Sequence, residues 1–401
     1  MGIDGHCWQV LQLSDALDLE LATELARLAP TILWEPDRSC LPIRFGFREE
    51  ERGLPESTLR IRRFPILRGY ARAPLSFFAR VGPALGARLA KHTPDPARSI
   101  LVCTTPYFAP VAERWPGPVV YWLTDLMARY DGADPQLLRR LDRDLCRVAT
   151  LVCPASERLA AYLRDEAGCP ADRIKVVPNA ARVANLLPSP LLAPVPPPGG
   201  HPWSGPVAGV LGNLGENMDW VFLQRVIDLT PWLCWCFVGP TEETIADREQ
   251  AAARTAVMHH ARTTFVGPKP YGELFHYARA FTVAVLPYRH REPTFSGSST
   301  RFYEHLAACH PILATPGVAE LQSKSPLLTL VPTPADAAAA LEALRAQNFD
   351  DGLRTVRWQA SRTNTWRQRA CTMQAALAER LPETNRTAAA VPCNGRQVFS
   401  T

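Results

Sequence analysis

A chain of 401 residues exceeds what one hydrophobic core usually serves, so two domains of about 150 to 200 residues are expected. With 47% hydrophobic and 21% charged residues, the composition is that of a soluble, enzyme-sized globular protein, and no apolar run is long enough to span a bilayer. Met1 to Gln9 lacks the basic-then-apolar pattern of a signal peptide, so a cytoplasmic protein is expected.

The formal charge of +5 is modest but unevenly placed. From Ser57 to Pro94 there is no acidic residue, while Arg60, Arg62, Arg63, Arg68, Arg72, Arg80, Arg88 and Lys91 are interleaved with Phe64, Tyr70, Phe77 and Phe78. That mixture suits an anionic surface. No nucleic-acid recognition module is visible, and a basic, aromatic helical stretch suits a membrane headgroup layer, with a solvated basic face as the plainer reading. Short apolar runs then alternate with helical stretches. "SILVCT" (99 to 104), "PVVYWLT" (118 to 124), "TLVCPA" (150 to 155) and "IKVVPN" (174 to 179) read as strands, and "PQLLRRLDRDLCRV" (135 to 148) reads as a helix. This is the pattern of a parallel sheet covered by helices. The eleven cysteines are scattered through these segments with no C-x-x-C pair, which predicts buried, reduced thiols.

Residues 188 to 206, "PSPLLAPVPPPGGHPWSGP", carry too many prolines for regular structure and read as a linker. The alternation restarts with "PVAGVLGNLG" (206 to 215), a helix over 219 to 229, the strand "LCWCFVG" (233 to 239), a long helix to about Arg262, "TTFVGP", "YGELFHYAR" and "FTVAVLPY" (281 to 288). The predicted domains are 1–187, a linker 188–205, and 206–382 with a C-terminal helix that crosses back, followed by a disordered tail 383–401. Two doubly wound α/β halves of this kind leave a cleft where the carboxyl ends of both sheets face one ligand.

"SGSSTRFYEHLAACHPILAT" (296 to 315) lies just beyond the last of those strands. Ser298 can cap a helix running to about Cys309, with Phe302, Leu306 and Cys309 buried and Arg301, Glu304, His305 and Ala308 sharing the other face. Backbone N–H groups and small serines at a helix start form an anion site, and a carboxylate one turn on can accept from vicinal hydroxyls. Phosphate at the cap and ribose at Glu304 therefore fit a nucleotide. The alternative is a capped helix with a surface Arg301/His305 pair.

The order strand, "PY", polar loop, "S-x-x-x-R-F-Y-E-H-L-A-A-C-H-P-I-L-A-T" resembles the nucleotide-sugar motif of retaining glycosyltransferases with the GT-B fold, group 1 or family 4-like. "FVGPKPYGELFHYARAFTVAVLPY", "IKVVPNAA" and "VVYWLTDLMARYD" are similar to further segments of that family, and the likeness covers roughly residues 7 to 380. The resemblance implies two Rossmann-like domains. It also implies a UDP- or GDP-linked sugar as donor, a glycan or lipid-linked acceptor, retention of anomeric configuration, and neither a cofactor nor an obligatory metal. By position, Arg301 matches the basic residue, Glu304 the ribose-binding carboxylate, and the backbone after Gly267 the base contact. The implied nucleotide-sugar site comprises Gly212, Asn213, Gly267, Lys269, Ser296, Ser298, Ser299, Arg301 and Glu304. Thr124 stands where the family often has histidine, so Asp125 beside it is the expected acid or base of the catalytic pair. Two departures stand out. Ser296 replaces the first glutamate of the family's E-x7-E, and "GNLGENMDW" offers Asn213 and no cation before Arg225, so Arg301, Lys269 or a loop arginine must face the diphosphate.

Asp142-Arg143-Asp144 is formally D-x-D but falls in a helical pattern, where both carboxylates should be solvated and bind no metal. "GVLGNLG" is not G-x-G-x-x-G, adjacent His259 and His260 do not share a helix face, and no G-x-S-x-G occurs. Three functions remain open: a glycosyltransferase of cell-surface polysaccharide synthesis, at home in the cytoplasm and at the inner membrane face; a sugar-nucleotide epimerase of the same fold; and a non-catalytic nucleotide-binding partner protein.

Overall fold

The structure, a computed structural model, describes residues 6–12, 16–37, 48–54, 57–65, 85–130, 132–191, 195–196, 205–241 and 244–381. The chain divides into two compact units, Met1–Asn179 with Trp366–Thr401, and Ala180–Thr365.

The first unit is built on strands β1 (Cys7–Leu11), β2 (Thr31–Asp37), β3 (Arg48–Leu54), β4 (Ser57–Pro65), β5 (Ser99–Cys103), β6 (Val119–Leu123) and β7 (Leu151–Pro154). They lie in the order β3-β4-β2-β1-β5-β6-β7. Only β3 is antiparallel, folded back on β4 at the sheet edge. β5 and β6 are buried at every residue, as strands covered on both faces must be, and this is why they read as unbroken apolar runs. Without β3, the parallel strands follow the doubly wound order, with the direction of winding reversing between β1 and β5. "IKVVPN" is not a strand. Lys175 and Val177 donate to Val152 and Pro154 carbonyls, but Pro154 has no N–H with which to return the second bond, and one bridge, Val152 to Ile174, is all that forms.

The helix Trp366–Ala378 belongs to this unit. Trp366 is fully buried edge-on to Trp122, with ring centroids 5.8 Å apart, and Arg367 pairs with Glu24 at 3.0 Å. The division between units falls at 179/180, not at 187/188 where the prolines begin. Residues 180 to 187 pack into the second unit, where Leu187 is in the core and its carbonyl accepts from Trp358 Nε1 at 2.7 Å. Most of the predicted linker, and the tail 383–401, lie outside the described residues.

The second unit holds β8 (Val207–Leu211), β9 (Cys234–Val238), β10 (Thr263–Gly267), β11 (Val283–Leu286), β12 (Ile312–Ala314) and β13 (Thr329–Leu330), in the order β10-β9-β8-β11-β12-β13. All pairs are parallel. This is again the doubly wound order, and the crevice at its reversal point opens between the carboxyl ends of β8 and β11. One face of the sheet is filled by Trp220, Trp235, Phe237 and Phe265, the last two stacked at 4.6 Å. The helix predicted to reach Arg262 spans Arg248–Met258 and is capped by Asp247. It stops early because Thr263 Oγ1 donates to the Val257 carbonyl and the Arg262 side chain to Ile227 and Leu233 carbonyls, which turns the chain into β10.

No helix among the described residues is long and apolar enough to cross a membrane. Of the basic stretch, Arg68, Arg72 and Arg80 lie outside the described residues. Arg62 donates to the His92 carbonyl at 2.8 Å and covers the Trp34 ring, and Arg63 faces Glu35 at 3.6 Å, so these two cations are engaged within the protein. The described cysteines are free thiols, most of them buried.

Candidate functional site

β8 ends at Leu211, and the next residue, Gly212, takes φ +93, a conformation that favours glycine. Its N–H bonds to the Val238 carbonyl at 2.9 Å. The loop that follows is laced to the exit of β11. Asp219 N donates to the Pro287 carbonyl at 2.8 Å, and Arg289 N to the Asn217 carbonyl at 3.0 Å. Beside it, β9 ends at Val238, and a Cβ on the next residue, Gly239, would come within 1.8 Å of the Gly212 carbonyl oxygen. Gly239 N in turn donates to the carbonyl of Gly267, which closes β10. Three neighbouring strand ends thus present bare backbone, and a Cβ on Gly267 would meet nothing within 4 Å. Lys269 follows two residues later, half-buried.

Above β11 stands the helix Thr300–Ala308. Its cap is Ser299, not Ser298: the Ser299 hydroxyl accepts from Phe302 N at 3.2 Å and shares a 2.9 Å hydrogen bond with the Tyr288 hydroxyl. The Ser298 hydroxyl and the Ser299 N–H instead donate to one oxygen of Glu320, at 2.8 and 3.0 Å. The other oxygen of Glu320 accepts from the Tyr303 hydroxyl and pairs with Lys324 at 3.0 Å. The helix start therefore already carries an anion, supplied by the protein itself, and Ser298 and Ser299 are engaged before any phosphate arrives. Ser296, also buried, donates to Glu292 from its hydroxyl at 2.6 Å and from its N–H at 3.2 Å.

Arg301 extends from the first turn of that helix to the β8 loop. Its guanidinium donates to the Asn213 carbonyl, lies 2.9 Å from Met218 Sδ, and covers the Tyr288 ring at 5.0 Å. A Cβ on Gly212 would sit 2.6 Å from Arg301 Nε, so glycine there also makes room for the cation. Gly212, Asn213 and Arg301 are thus brought together. The loop arginines are committed elsewhere: Arg289 pairs with Asp247 at 2.9 Å and lies 3.6 Å from Glu216, and Arg291 lies 3.5 Å from Glu216.

Glu304 is 2% exposed, and its two oxygens accept from Asn185 Nδ2 at 2.8 Å and the Tyr271 hydroxyl at 2.9 Å. His305 is not on a polar surface with Arg301. Every residue from Phe302 to Ala308 is buried, because helices Leu274–Ala280 and Arg354–Thr363 cover this helix. His305 Nδ1 contacts His310 Nε2 at 3.2 Å, and His310 Nδ1 meets the Phe281 carbonyl at 2.9 Å. Burial holds His310 down to about 4 and His305 well below the usual histidine range. No local pattern in the sequence singles out Asn185, Tyr271 or Glu320. Tyr271 opens the segment "YGELFHYAR", whereas Asn185 and Glu320 lie in no motif.

Thr124 and Asp125 are in the first unit, immediately after β6, with Thr124 buried and Asp125 half-buried. At the neighbouring reversal point, Thr104 Oγ1 lies 3.0 Å from both the Leu11 carbonyl oxygen and the Asp18 carboxylate, which share its one proton. The D-x-D carboxylates are not both solvated. Asp142 is buried and held by the hydroxyls of Tyr121 at 2.5 Å and Tyr162 at 2.6 Å, while Asp144 faces Arg147 at 3.4 Å. Burial pushes Asp142 up to about 6 against the pull of the two hydroxyls. Among the described residues, no group of three or more His, Cys, Asp or Glu could hold a metal ion.

Comparison with known proteins agrees with this architecture. At 10% identity and a TM-score of 0.65, the chain superposes over 92% of its length on 99% of the E. coli trehalose-6-phosphate protein bound with UDP-2-fluoro glucose. It also superposes over 93% of its length on 95% of Anabaena HepE in complex with UDP and glucose, at 14% identity and a TM-score of 0.56. The fold is GT-B. Within this GT-B chain, residues 19–180 match the family model described as glycosyl transferase 4-like domain. Over 168 residues the chain is 24% identical to the putative teichuronic acid biosynthesis glycosyltransferase TuaH of Bacillus subtilis, a stretch that spans 40% of each protein. Both sequence matches fall short of half the GT-B chain, and the family model ends at the first residue of the unit that carries Gly212, Arg301 and Glu304.

Proposed function

We propose that the protein is a glycosyltransferase that moves a sugar from a nucleotide-diphosphate sugar to a saccharide or lipid-linked acceptor in cell-surface polysaccharide synthesis. The observation that carries this is the convergence of Gly212, Asn213 and Arg301 at the reversal point of the second sheet, with the Glu304 carboxylate one turn further along the same helix. Bare backbone lets a diphosphate approach closely, and a guanidinium is suited to pair with it. Glu304 accepts from the ribose, the backbone after Gly267 meets the base with Lys269 nearby, and Asp125 and Thr124 act at the acceptor or at the leaving sugar.

The finer features belong to this proposal. Transfer proceeds with retention and needs neither cofactor nor metal. UDP-linked donors come first for testing, because two of the fold neighbours hold UDP or a UDP-sugar, and GDP-linked ones second. The protein works in the cytoplasm, peripherally at an anionic membrane face. Epimerisation without an acceptor is the less favoured reading, since the relative found by sequence is described as a glycosyltransferase.

A thermal-shift screen of UDP- and GDP-sugars tests donor binding: a bound donor raises the melting point by mass action. Transfer to an acceptor, followed by NMR of the anomeric proton with and without EDTA, tests the rest. Donor turnover with no acceptor would favour epimerisation or hydrolysis, nucleotide binding with no turnover would favour the non-catalytic reading, and no shift with any nucleotide sugar would overturn the proposal.

A further inference from the structure

A carboxylate taken out of water is stable only where donors replace its hydration. For Glu304, 2% exposed, two such donors come from segments remote from its own helix. Asn185 closes the short turn Val183–Asn185 and is itself buried. Tyr271 opens the turn Tyr271–Glu273 beyond β10, with the Arg182 guanidinium 5.8 Å over its ring. Each donates to a different oxygen of Glu304. A donor on each oxygen fixes the carboxylate plane, because rotating the group breaks both bonds. An ionised carboxylate offers about four lone-pair positions, and a ribose hydroxyl would use one that these two donors do not.

We propose that Asn185 and Tyr271 are positioning residues that make the site selective for ribose over deoxyribose: they hold the Glu304 carboxylate in the one orientation in which it accepts from the sugar hydroxyls of the nucleotide. The inference rests on the donor-binding reading above and adds to it the residues that give Glu304 its selectivity. A site built around a fixed acceptor rejects a ligand that lacks the matching hydroxyl, whereas an acceptor free to swing finds another donor and discriminates poorly. The alternative is that Asn185 and Tyr271 only pin the helix Thr300–Ala308 to its neighbours.

Calorimetric titration of the full chain with UDP, GDP and their 2′-deoxy counterparts separates these. The wild type should favour the ribonucleotide by about 10-fold or more. Tyr271→Phe and Asn185→Ser should each narrow that ratio to within about 3-fold, by weakening the ribonucleotide and sparing the deoxynucleotide, with a folded protein by circular dichroism. Asn185→Asp, close in shape, sets a second carboxylate against Glu304 and should bind the ribonucleotide least well. Combined with Glu304→Gln, it should regain thermal stability through the reversed hydrogen bond while the ribose preference stays lost. Variants that melt earlier but keep the wild-type ratio would reduce both residues to structural pins and overturn the inference. A wild type that binds UDP or GDP without preferring ribose would overturn it too, while leaving donor binding intact. No binding of any nucleotide would instead remove the proposed function on which it stands.

Discussion

At the scale of single residues, Arg301 and Asp142 carry the sharpest expectations. Arg301→Ala should cost about 1.5 to 3 kcal/mol of affinity for a nucleoside diphosphate, the scale of a hydrogen bond to a charged group, and much less for the bare nucleoside. Titrating UDP and uridine against both proteins checks this, and equal losses would make the Arg301 contacts to Asn213 and Tyr288 purely structural. Asp142 and the His305/His310 pair respond to acid in opposite senses. The folded-state value for Asp142, about 6, lies above its ordinary 3.8, so its contribution to stability is fully present below 3.8 and lost as pH rises through 6. The difference is on the order of 3 kcal/mol. His310, held at about 4 against 6.5, contributes stability that is fully present above 6.5 and lost as pH falls through 4. Acidification from pH 7 to 5 should therefore raise the melting point of the first unit relative to that of the second, as read by scanning calorimetry. Asp142→Asn, whose amide can both accept from and donate to the two tyrosine hydroxyls, should abolish the first unit's part of that response.

The element on which the site turns is the helix Thr300–Ala308, and its first turn is specified by long-range contacts. Ser298 and Ser299 are equally good caps by local rules, and the choice between them is made by Glu320 and Tyr288, which take the Ser298 and Ser299 hydroxyls in different directions. Ser299→Ala removes the cap and should cost about 1 kcal/mol, or about 2 to 4 °C in the second unit's melting point. Ser298→Ala, which leaves the cap in place, should cost less. The reverse ranking would return the cap to Ser298. Because Arg301 lies in the same turn, Ser299→Ala should also weaken nucleotide binding more than Ser298→Ala does.

Over the whole molecule, the last described helix joins the unit formed by the start of the chain. Ending the chain at Thr365 would strip Trp366 from Trp122, Arg367 from Glu24 and Arg369 from the Pro178 carbonyl. Trp366→Ala alone should destabilise the first unit by about 3 to 5 kcal/mol, and truncation by more, while the second unit keeps its melting transition. Calorimetry with limited proteolysis checks this. Equal loss in both units would show that they do not fold independently.

What the sequence by itself determined was local: the short apolar runs and helical stretches that alternate over residues 99–154 and 206–315, whose order implies a parallel sheet, and the cluster of Arg301 and Glu304 beyond a strand end. Each depends on neighbours a few positions apart, so each is written in a short window. The tertiary structure alone decided which groups complete those residues. Asn185 reaches Glu304 across 119 positions, Arg301 reaches the Asn213 carbonyl across 88, and Glu320 takes the helix start from 22 positions away. It also decided that Asp142 is buried between two tyrosines and that the unit boundary precedes the prolines. A buried polar group must find a partner, but chain spacing does not say which one, because the fold brings together residues whose separation in sequence carries no periodic signal.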